Sequence, residues 1–239
     1  MPHPFQDEFE NRVAVVTGAS SGIGAATAEA LVARGAFVAI FARSMEKLDG
    51  IAITHRDRVI AVAGDVAVAD DVNRLFSAVE SRFGGAQILI NNAGMIDPRK
   101  FIETTSEQWD RMFAVNVRGA FLATRRALPR MIAHHSGAIV NVSSISGIIG
   151  PEKFPGFVSY NASKAALIAM TEALAVELRG SGVRVNSVSP SSVATKMWAQ
   201  ASGGASADMT PEEVAEAILF LASDRSRPMN GQNLHVYGA

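Results

Sequence analysis

Apolar runs of strand length recur along this chain and alternate with stretches whose apolar residues repeat at helical spacing. Seven runs fit strands, at residues 12–17, 37–42, 59–64, 88–91, 138–143, 183–189 and 233–237. Most are unbroken series of valine, isoleucine and alanine, the pattern of strands that are buried on both faces of a parallel sheet. The pattern therefore predicts a sheet covered by helices on both sides.

Helical spacing fills the intervals between these runs. It predicts helices at residues 23–34 and 68–82, a long helix from about residue 105 to 135, another over 160–180, and one that starts at Pro211. The long helix begins with "TSEQ", where Thr105 and Gln108 predict a capping box. Strands and helices that alternate at these lengths predict an α/β fold, a doubly wound parallel sheet of the Rossmann type with about seven strands flanked by helices.

The domain organisation follows from the absence of a linker. No stretch rich in proline, glycine or serine divides the 239 residues, so we expect a single domain over 1–239. Residues 1–10 are predicted to be a flexible N-terminal extension. Residues 196–210 contain the small, polar run "ASGGASA" and predict a short substrate lid that is mobile without ligand, because such a run buries little apolar surface.

Composition excludes several classes of protein. The formal net charge is −1, so no basic face supports nucleic-acid binding. There is no cysteine, which excludes disulfides, thiol catalysis and thiolate metal sites. His134 and His135 are adjacent and point in different directions on a helix, so we expect no metal site. No apolar run reaches the ~20 residues of a membrane span, and no signal segment opens the chain, which predicts a cytoplasmic protein that binds no membrane.

A glycine-rich loop, "TGASSGIG", lies between the first strand and the first helix. Gly18, Gly22 and Gly24 let the backbone turn tightly and let a ligand approach, while the helix N-terminus offers free N–H groups to a pyrophosphate. A plain glycine-rich turn is the alternative, but the strand before and the helix after favour a dinucleotide site. The predicted cofactor contacts in this loop are Gly18, Ser20, Ser21, Gly22, Ile23 and Gly24.

The end of the second strand, "FAR", indicates which dinucleotide binds. Ala42 stands where an acid would hold the ribose of NAD, and Arg43 follows it with Ser44 alongside. A guanidinium binds a 2′-phosphate through two hydrogen bonds, so NADP(H) is favoured and NAD(H) stays possible. Arg43 as a solvated strand end is the alternative. After the third strand, Asp65, with Val66 beside it, is expected either to accept from the adenine amine or to cap a turn.

Tyr160 and Lys164 in "SYNASK" stand four residues apart, so they share a face of the predicted helix. A free tyrosine titrates near pH 10, which makes it a poor acid at neutral pH. A lysine ammonium about 4 Å away would lower the phenol pKa by up to about three units. A packed ring beside a solvated amine is the alternative for this pair. The pair therefore predicts that Tyr160 is a proton donor and that the charge of Lys164 lowers its pKa.

Five separated motifs occur in one order: "TGASSGIG", "NNAG" at 91–94, Asn116 in "FAVNVRGAF", "IVNVSS" and "YNASK". Over residues 11–237 the chain resembles the short-chain dehydrogenase/reductase family. The resemblance implies an NAD(P)-dependent oxidoreductase, a homotetramer or homodimer, with a small carbonyl or alcohol substrate. It implies the catalytic set Asn116, Ser144, Tyr160 and Lys164. It places these residues beside the cofactor: Asn91, Asn92, Ala93, Gly94, Tyr160, Lys164, Val193 and Thr195.

The resemblance also implies a role for each catalytic residue. Tyr160 is expected to give or take the proton, Ser144 to orient the substrate oxygen, and Lys164 to lower the Tyr160 pKa and bind the nicotinamide ribose. Asn116 is expected to hold its helix and a water that links Lys164 to solvent. Ser191 departs from the family pattern, where glycine follows the proline, and would strain the turn if its φ were positive. The loop between Ser144 and Tyr160 is longer than usual and is expected to border the substrate.

The resemblance leaves the reaction open in two respects. An NADPH-dependent reductase of ketones or 3-oxoacyl compounds is the first hypothesis. An epimerase or lyase that recycles its cofactor uses the same scaffold, and so does a regulator that senses NADP(H) without turnover. Product that forms without net loss of NADPH identifies the epimerase or lyase. Tight NADPH binding without turnover identifies the regulator.

Overall fold

The computed structural model describes residues 7–238, and its seven strands form one sheet in the order β3-β2-β1-β4-β5-β6-β7. Every neighbouring pair is parallel. The strands are β1 Val13–Thr17, β2 Phe37–Ala42, β3 Val59–Ala63, β4 Ile88–Asn91, β5 Gly137–Val142, β6 Val183–Pro190 and β7 Asn233–Val236. The doubly wound parallel sheet predicted from the sequence is confirmed, and the strand ends fall within one residue of the predicted ones.

Helices cover both faces of this sheet. They are α1 Gly22–Ala33, α2 Met45–Thr54, α3 Ala69–Phe83, α4 Ser106–Phe113, α5 Gly119–Ala133, α6 Val158–Glu177, α7 Lys196–Ser202 and α8 Pro211–Ala222. The sequence prediction missed α2 and α7. Thr210 caps α8 in a capping box with Glu213, and Pro211 occupies its first turn, where a missing N–H is harmless.

The core lies on both sides of the sheet because successive strand residues point to opposite faces. Val16, Ile40 and Ile90 belong to the cluster under α1 and α8. Their chain neighbours Val15 and Leu89 belong to the cluster under α3, α5 and α6. All five are fully buried, so both faces of the central strands are covered. This explains why the strands read as unbroken apolar runs.

The strand order reverses between β1 and β4, and this reversal positions the site. In open α/β sheets, ligands bind in the crevice beyond the carboxyl ends of the strands at such a switch point. The glycine loop 18–24 follows β1, and the segment 92–95 follows β4. The topology therefore brings two of the sequence motifs together at one crevice.

The predicted long helix over 105–135 is divided in the structure. It begins as predicted: Gln108 N donates to Thr105 Oγ1 at 3.3 Å, and Thr105 N donates to Gln108 Oε1 at 3.0 Å. Between α4 and α5 the chain makes one π-helical turn, Ala114–Arg118. Turns of this kind are uncommon and occur often at functional sites. Asn116 lies inside it.

Residues 7–10 do not form the flexible N-terminal extension that was predicted for residues 1–10. They form a turn in which Phe9 is 1% exposed and belongs to the core cluster under α1. Phe9 N donates to Arg34 O at 2.9 Å, and Glu8 pairs with Arg34 and Arg225. The prediction failed here because a single buried phenylalanine in a polar segment has no periodicity to reveal it. Residues 1–6 lie outside the described residues. Within 7–238, no helix has both the length and the apolar character needed to cross a membrane.

Candidate active site

The glycine loop is built by close contacts within the protein. Gly18 and Gly22 have φ of +68° and +55°, a region that favours glycine. A Cβ on Gly18 would lie 2.7 Å from Ala93 Cα, and one on Gly24 would lie 2.4 Å from Gly18 O. A Cβ on Gly22 would lie 2.9 Å from Thr195 Cγ2. The three glycines therefore let the loop lie against the segment after β4 and against the start of the lid.

Asn92 and Thr17 fasten the two crevice segments to each other. Asn92 Nδ2 donates to Thr17 O at 3.0 Å and to Gly18 O at 3.1 Å. Thr17 Oγ1 accepts from the backbone N–H groups of Asn92 and Ala93, each at 3.1 Å. Asn91 behaves differently: its amide donates to Thr124 Oγ1 on α5 and to Asn141 Oδ1 on β5, so its side chain is not presented to the crevice. Thr17 was missed by the sequence analysis, although it directly precedes the first glycine.

The loop and helix α1 suit a pyrophosphate. Ser21 stands at the N-cap of α1, yet its side chain makes no capping hydrogen bond, and the first turn contains no acid. The N–H groups of this turn are thus left for an anion, which the helix dipole attracts. The residues present fit a dinucleotide cofactor.

Tyr160 and Ser144 meet at the wall of a cavity of about 540 Å³. The Ser144 hydroxyl lies within interaction range of the Tyr160 phenol, and Ser144 Oγ accepts from Ser146 N at 3.1 Å. Tyr160 comes from the first turn of α6, and Ser144 caps a short 3₁₀ turn after β5. Burial raises the Tyr160 pKa to about 12, against a smaller lowering effect of the Ser144 hydrogen bond. The phenol is therefore held in its protonated form.

Lys164 lies one turn along α6 and is 4% exposed. Its Nζ donates to Val142 O at 2.8 Å and lies 5.7 Å from the centroid of the Tyr160 ring. Burial lowers the Lys164 pKa to about 8. The prediction that Lys164 lowers the Tyr160 pKa is wrong. The amine faces the Tyr160 ring and the Val142 carbonyl, and burial is the largest effect on the pKa of the phenol.

Asn116 connects the π-helical turn to the crevice and to α6. Its Oδ1 accepts from Met95 N at 2.8 Å, and its Nδ2 donates to Met95 O at 3.0 Å and Ser163 Oγ at 2.9 Å. Ser163 Oγ in turn donates to Tyr160 O at 2.8 Å. Asn116 therefore holds the segment after β4 against the helix of Tyr160. A Cβ on Gly94 would lie 3.4 Å from Asn116 Oδ1 and 3.5 Å from Lys164 Nζ, so all three line one corner.

The carboxyl ends of β2 and β3 form the other end of the crevice. Arg43 is exposed, and Ser44 stands at the N-cap of α2 without a side-chain capping bond. Asp65 Oδ1 accepts from Ala67 N at 2.9 Å, as the turn-capping alternative requires, and its Oδ2 accepts from Arg111 at 2.6 Å. Although burial pushes the Asp65 pKa up, the hydrogen bonds from Arg111 and Ala67 hold it below its usual value.

Two further residues complete this end. Val66 is buried and packs closely against Gly119. A Cβ added to Gly119 would lie only 2.8 Å from Val66 Cγ2. Arg111 was missed by the sequence analysis, because nothing in α4 shows that its side chain crosses to the β3 loop. The contact of Asp65 with adenine stays a prediction.

The lid and the loop after β5 enclose the cavity. Val193 and Thr195 line it, and Thr195 Oγ1 caps α7 by accepting from Trp198 N at 3.2 Å. Phe154 and Phe157 of the long loop line it as well, as expected. The lid contributes Met197 and Trp198, and also Ala201 and Ala205, which were not expected. The φ of Ser191 is not positive, so the backbone strain considered for this turn does not occur at Ser191.

Comparisons with known proteins agree with this geometry. The family described as short chain dehydrogenase matches residues 12–205. The chain is 38% identical to 2-(R)-hydroxypropyl-CoM dehydrogenase of Xanthobacter autotrophicus, over 96% of this chain and 98% of that protein. It is 40% identical to cis-4-hydroxycyclohexanecarboxylate dehydrogenase of Sinomonas cyclohexanicum, over 97% of each. A crystal structure of 3-ketoacyl-(acyl-carrier-protein) reductase from Brucella melitensis, complexed with NADH, matches with a TM-score of 0.90 and 32% identity, over 97% of this chain and 98% of that one.

Proposed function

Because the chain belongs to the short-chain dehydrogenase family and is thereby an oxidoreductase that uses a nicotinamide cofactor, we propose that it reduces a ketone or 3-oxoacyl compound to the alcohol, and catalyses the reverse. The observation that carries the proposal is that the Tyr160 and Ser144 side chains come together at the cavity wall, with Lys164 buried behind the Tyr160 ring. A nicotinamide cofactor, when bound, supplies or receives the hydride.

The protein's own residues handle the substrate oxygen. Ser144 and Tyr160 offer two hydroxyls to one carbonyl oxygen, which orients and polarises it. In reduction, Tyr160 transfers its proton to this oxygen as the alcohol forms. The raised pKa of Tyr160 keeps the phenol protonated at neutral pH, which suits the direction of reduction.

Lys164 supports this step from behind. Its amine lies at the corner shared with Gly94 and Asn116, where it can hold a hydroxyl of the cofactor ribose and stabilise the phenolate left on Tyr160. Asn116 keeps Met95 and Ser163 in place around that corner. We assign Lys164 to the catalytic set and Asn116 to positioning it.

NADP(H) is the cofactor that we propose. Arg43 and the uncapped hydroxyl of Ser44 lie at the N-terminus of α2, where a 2′-phosphate finds a cation, a donor and a helix dipole. Asp65, the nearby carboxylate, is paired with Arg111, so its repulsion of a phosphate is offset. NAD(H) is the alternative, and the Arg43 and Ala42 variants below distinguish the two.

We also infer that a second copy of this chain packs on α5 and α6. Phe121 and Ile132 on α5 and Val176 on α6 are 47%, 40% and 54% exposed, although each is large and apolar. A groove of about 430 Å³ between the two helices is lined by Leu128 and Met170. An exposed apolar face of this kind is typical of an oligomer interface. On this basis we propose a homodimer or homotetramer. A cytoplasmic location stays a prediction from the sequence.

The test is a panel of ketones, aldehydes and 3-oxoacyl thioesters with NADPH, followed by NADPH consumption and product analysis. Tyr160→Phe keeps the ring and removes the proton donor, so we expect NADPH binding within about twofold of wild type and a loss of turnover of at least about 10²-fold. Near wild-type turnover of Tyr160→Phe contradicts the proposed mechanism. Binding of NADPH without turnover favours the regulator, and product without net NADPH loss favours the epimerase or lyase.

A further inference from the structure

We propose that the cavity selects against anionic substrates, and that Asp208 sets this preference. The inference rests on the proposed function, since it names the substrate class of the same site. It commits to a neutral ketone with an apolar ring or chain and a hydrogen-bond donor at its far end. A ketone of the same shape that carries a carboxylate is disfavoured.

Asp208 is held in a fixed position at the cavity wall. Its Oδ2 accepts from Ser192 Oγ at 2.7 Å and from Ser191 Oγ at 3.2 Å. The backbone N–H of Asp208 donates to Ser192 Oγ at 2.9 Å, which closes the arrangement between the end of β6 and the end of the lid. All three residues line the cavity. Within residues 7–238, Asp208 Oδ1 accepts no hydrogen bond, so this oxygen is available to a substrate donor.

Ser191 gives this arrangement a source in the sequence. A glycine at residue 191 would supply no hydroxyl, whereas the serine here bonds the carboxylate. The serine that departs from the family pattern thus makes a polar contact at the cavity wall. Two serine hydroxyls donate to this one carboxylate oxygen and fix its position.

The other walls of the cavity offer no compensating charge. Among the described residues that line it, Asp208 is the only charged side chain. Phe154 contacts Phe157 and Trp198, with ring centroids 5.6 and 6.2 Å apart, so one wall is aromatic. Asp208 is itself exposed at this wall, so solvent screens part of its charge and the repulsion of a substrate anion acts at short range.

Two basic side chains near the cavity, Lys153 and Arg99, are engaged elsewhere, and the exposed Lys196 at the start of the lid does not line the cavity. Lys153 donates to the backbone carbonyls of Ile145 and Ile148. Arg99 pairs with Asp97 at 3.4 Å, and neither residue lines the cavity. A substrate carboxylate would therefore meet the Asp208 charge at a wall whose described lining residues include no Lys or Arg.

A matched pair of ketones tests the preference with the NADPH-loaded enzyme. The probes are 4-oxocyclohexanecarboxamide and 4-oxocyclohexanecarboxylate, which share ring and shape and differ in charge. We expect kcat/KM for the carboxamide to exceed that for the carboxylate by at least about tenfold. Asp208→Asn should reduce this ratio by at least about threefold, mainly by improving the carboxylate. Glu152→Gln is the matched control, because it removes a charge from the exposed loop without changing the cavity wall, and it should leave the ratio unchanged.

A binding measurement separates the failure of this inference from failure of the proposed function. Calorimetric titration of the NADP⁺-bound protein with cyclohexanecarboxamide and cyclohexanecarboxylate needs no turnover, and the amide should bind more tightly. Equal affinities for the two, or a preference that Asp208→Asn leaves intact, would overturn the role of Asp208. Absence of turnover on both ketones and on the whole carbonyl panel would instead overturn the proposed function, while the titration would still decide the charge preference.

Discussion

The Lys164 amine lies 5.7 Å from the centroid of the Tyr160 ring, and burial moves the pKa values of the two groups in opposite directions. The lysine pKa falls to about 8, while the tyrosine pKa rises to about 12. Both shifts favour the neutral form, because a buried charge loses its hydration. At neutral pH the phenol therefore keeps the proton that reduction needs, while Lys164 is still mostly charged because pH 7 lies below its pKa of about 8.

The lowered Lys164 pKa has a consequence for stability. Between pH 8 and the usual lysine value of 10.5, the folded protein holds less of a proton at Lys164 than the unfolded chain does. Stability therefore rises with pH across this window, and the penalty is fully present below pH 8. Lys164→Met removes the effect, so the variant's advantage in free energy of unfolding should shrink by about 2 kcal/mol from pH 7.5 to 9.5.

Urea unfolding at a series of pH values measures this difference. Lys47→Met, at an exposed position on α2, is the control and should follow the wild-type pH dependence. Measurements stop below pH 10, because the raised Tyr160 pKa makes stability fall with pH from about 10 to 12. A wild-type minus Lys164→Met difference that is flat from pH 7.5 to 9.5 would show that burial does not shift the lysine.

Gly24 tests the cradle for the cofactor. An added Cβ would lie 2.4 Å from both Gly18 O and Asn92 Nδ2, so Gly24→Ala must push the loop away from the segment after β4. We expect a loss of about 1–3 kcal/mol in stability and a weaker NADPH affinity by at least about tenfold. Gly50→Ala is the control, since a Cβ there meets nothing within 4 Å. Fluorescence titration with NADPH checks the affinity, and unchanged binding in Gly24→Ala would argue against the close packing described.

The fold could be predicted from the sequence because apolar runs report burial directly. Val15 and Val16 are neighbours that belong to opposite core faces, so an unbroken run was enough to indicate a covered parallel strand. Phe9 was not predictable in the same way, since its burial depends on the turn it makes with Arg34. Helix α7 was missed because its seven residues are too few for a periodic pattern.

The site was predictable as a set of residues but not as a set of contacts. The motifs placed Tyr160, Ser144 and Asn116 together, as the structure does. They could not show that Lys164 turns to Val142 O, because spacing along a helix says nothing about which neighbouring strand end accepts from the amine. For the same reason the pairing of Arg111 with Asp65 needed the tertiary structure.

Arg43 is predicted to determine cofactor preference. Arg43→Ala should weaken NADPH binding by about tenfold to a hundredfold, the value of one charged hydrogen bond, and change NADH binding by less than about twofold. Arg56→Ala removes the same charge from an exposed turn near the opposite end of β3 and is the control. Ala42→Asp should shift the preference toward NADH. Dissociation constants for both cofactors measure the effect. If Arg43→Ala weakens NADPH binding and NADH binding equally, Arg43 does not determine the cofactor preference.

Phe121 is predicted to hold copies of the chain together. Phe121→Glu places a charge on the apolar face of α5 and α6, so we expect smaller particles in light scattering after size-exclusion chromatography. Ile53→Glu is the control, because Ile53 is 58% exposed on α2, away from that face. A wild-type protein that is monomeric at micromolar concentration, or a Phe121→Glu variant with unchanged mass, would exclude this face as the interface.

Trp198 connects the lid to the loop after β5. Its Nε1 donates to Ala205 O and Ser206 O, each at 3.1 Å, and its ring contacts Phe154. Beyond α7, residues 203–206 are small, polar and exposed, so they bury little surface to offset their ordering entropy.

We expect the amides of 203–207 to exchange hydrogen rapidly in the free enzyme and more slowly with NADPH and a ketone bound. Trp198→Phe keeps an aromatic ring and removes both indole hydrogen bonds, so exchange there should quicken about threefold to tenfold, the effect of roughly 1 kcal/mol. KM should rise more than kcat falls, because Trp198 lines the cavity and its substitution leaves Tyr160 and Ser144 in place. Trp109→Phe, which alters the ring stacked on Phe113 in α4, is the control and should leave exchange in the lid unchanged. Strong protection of 203–207 in the free wild-type enzyme would show that the lid is rigid before any ligand binds.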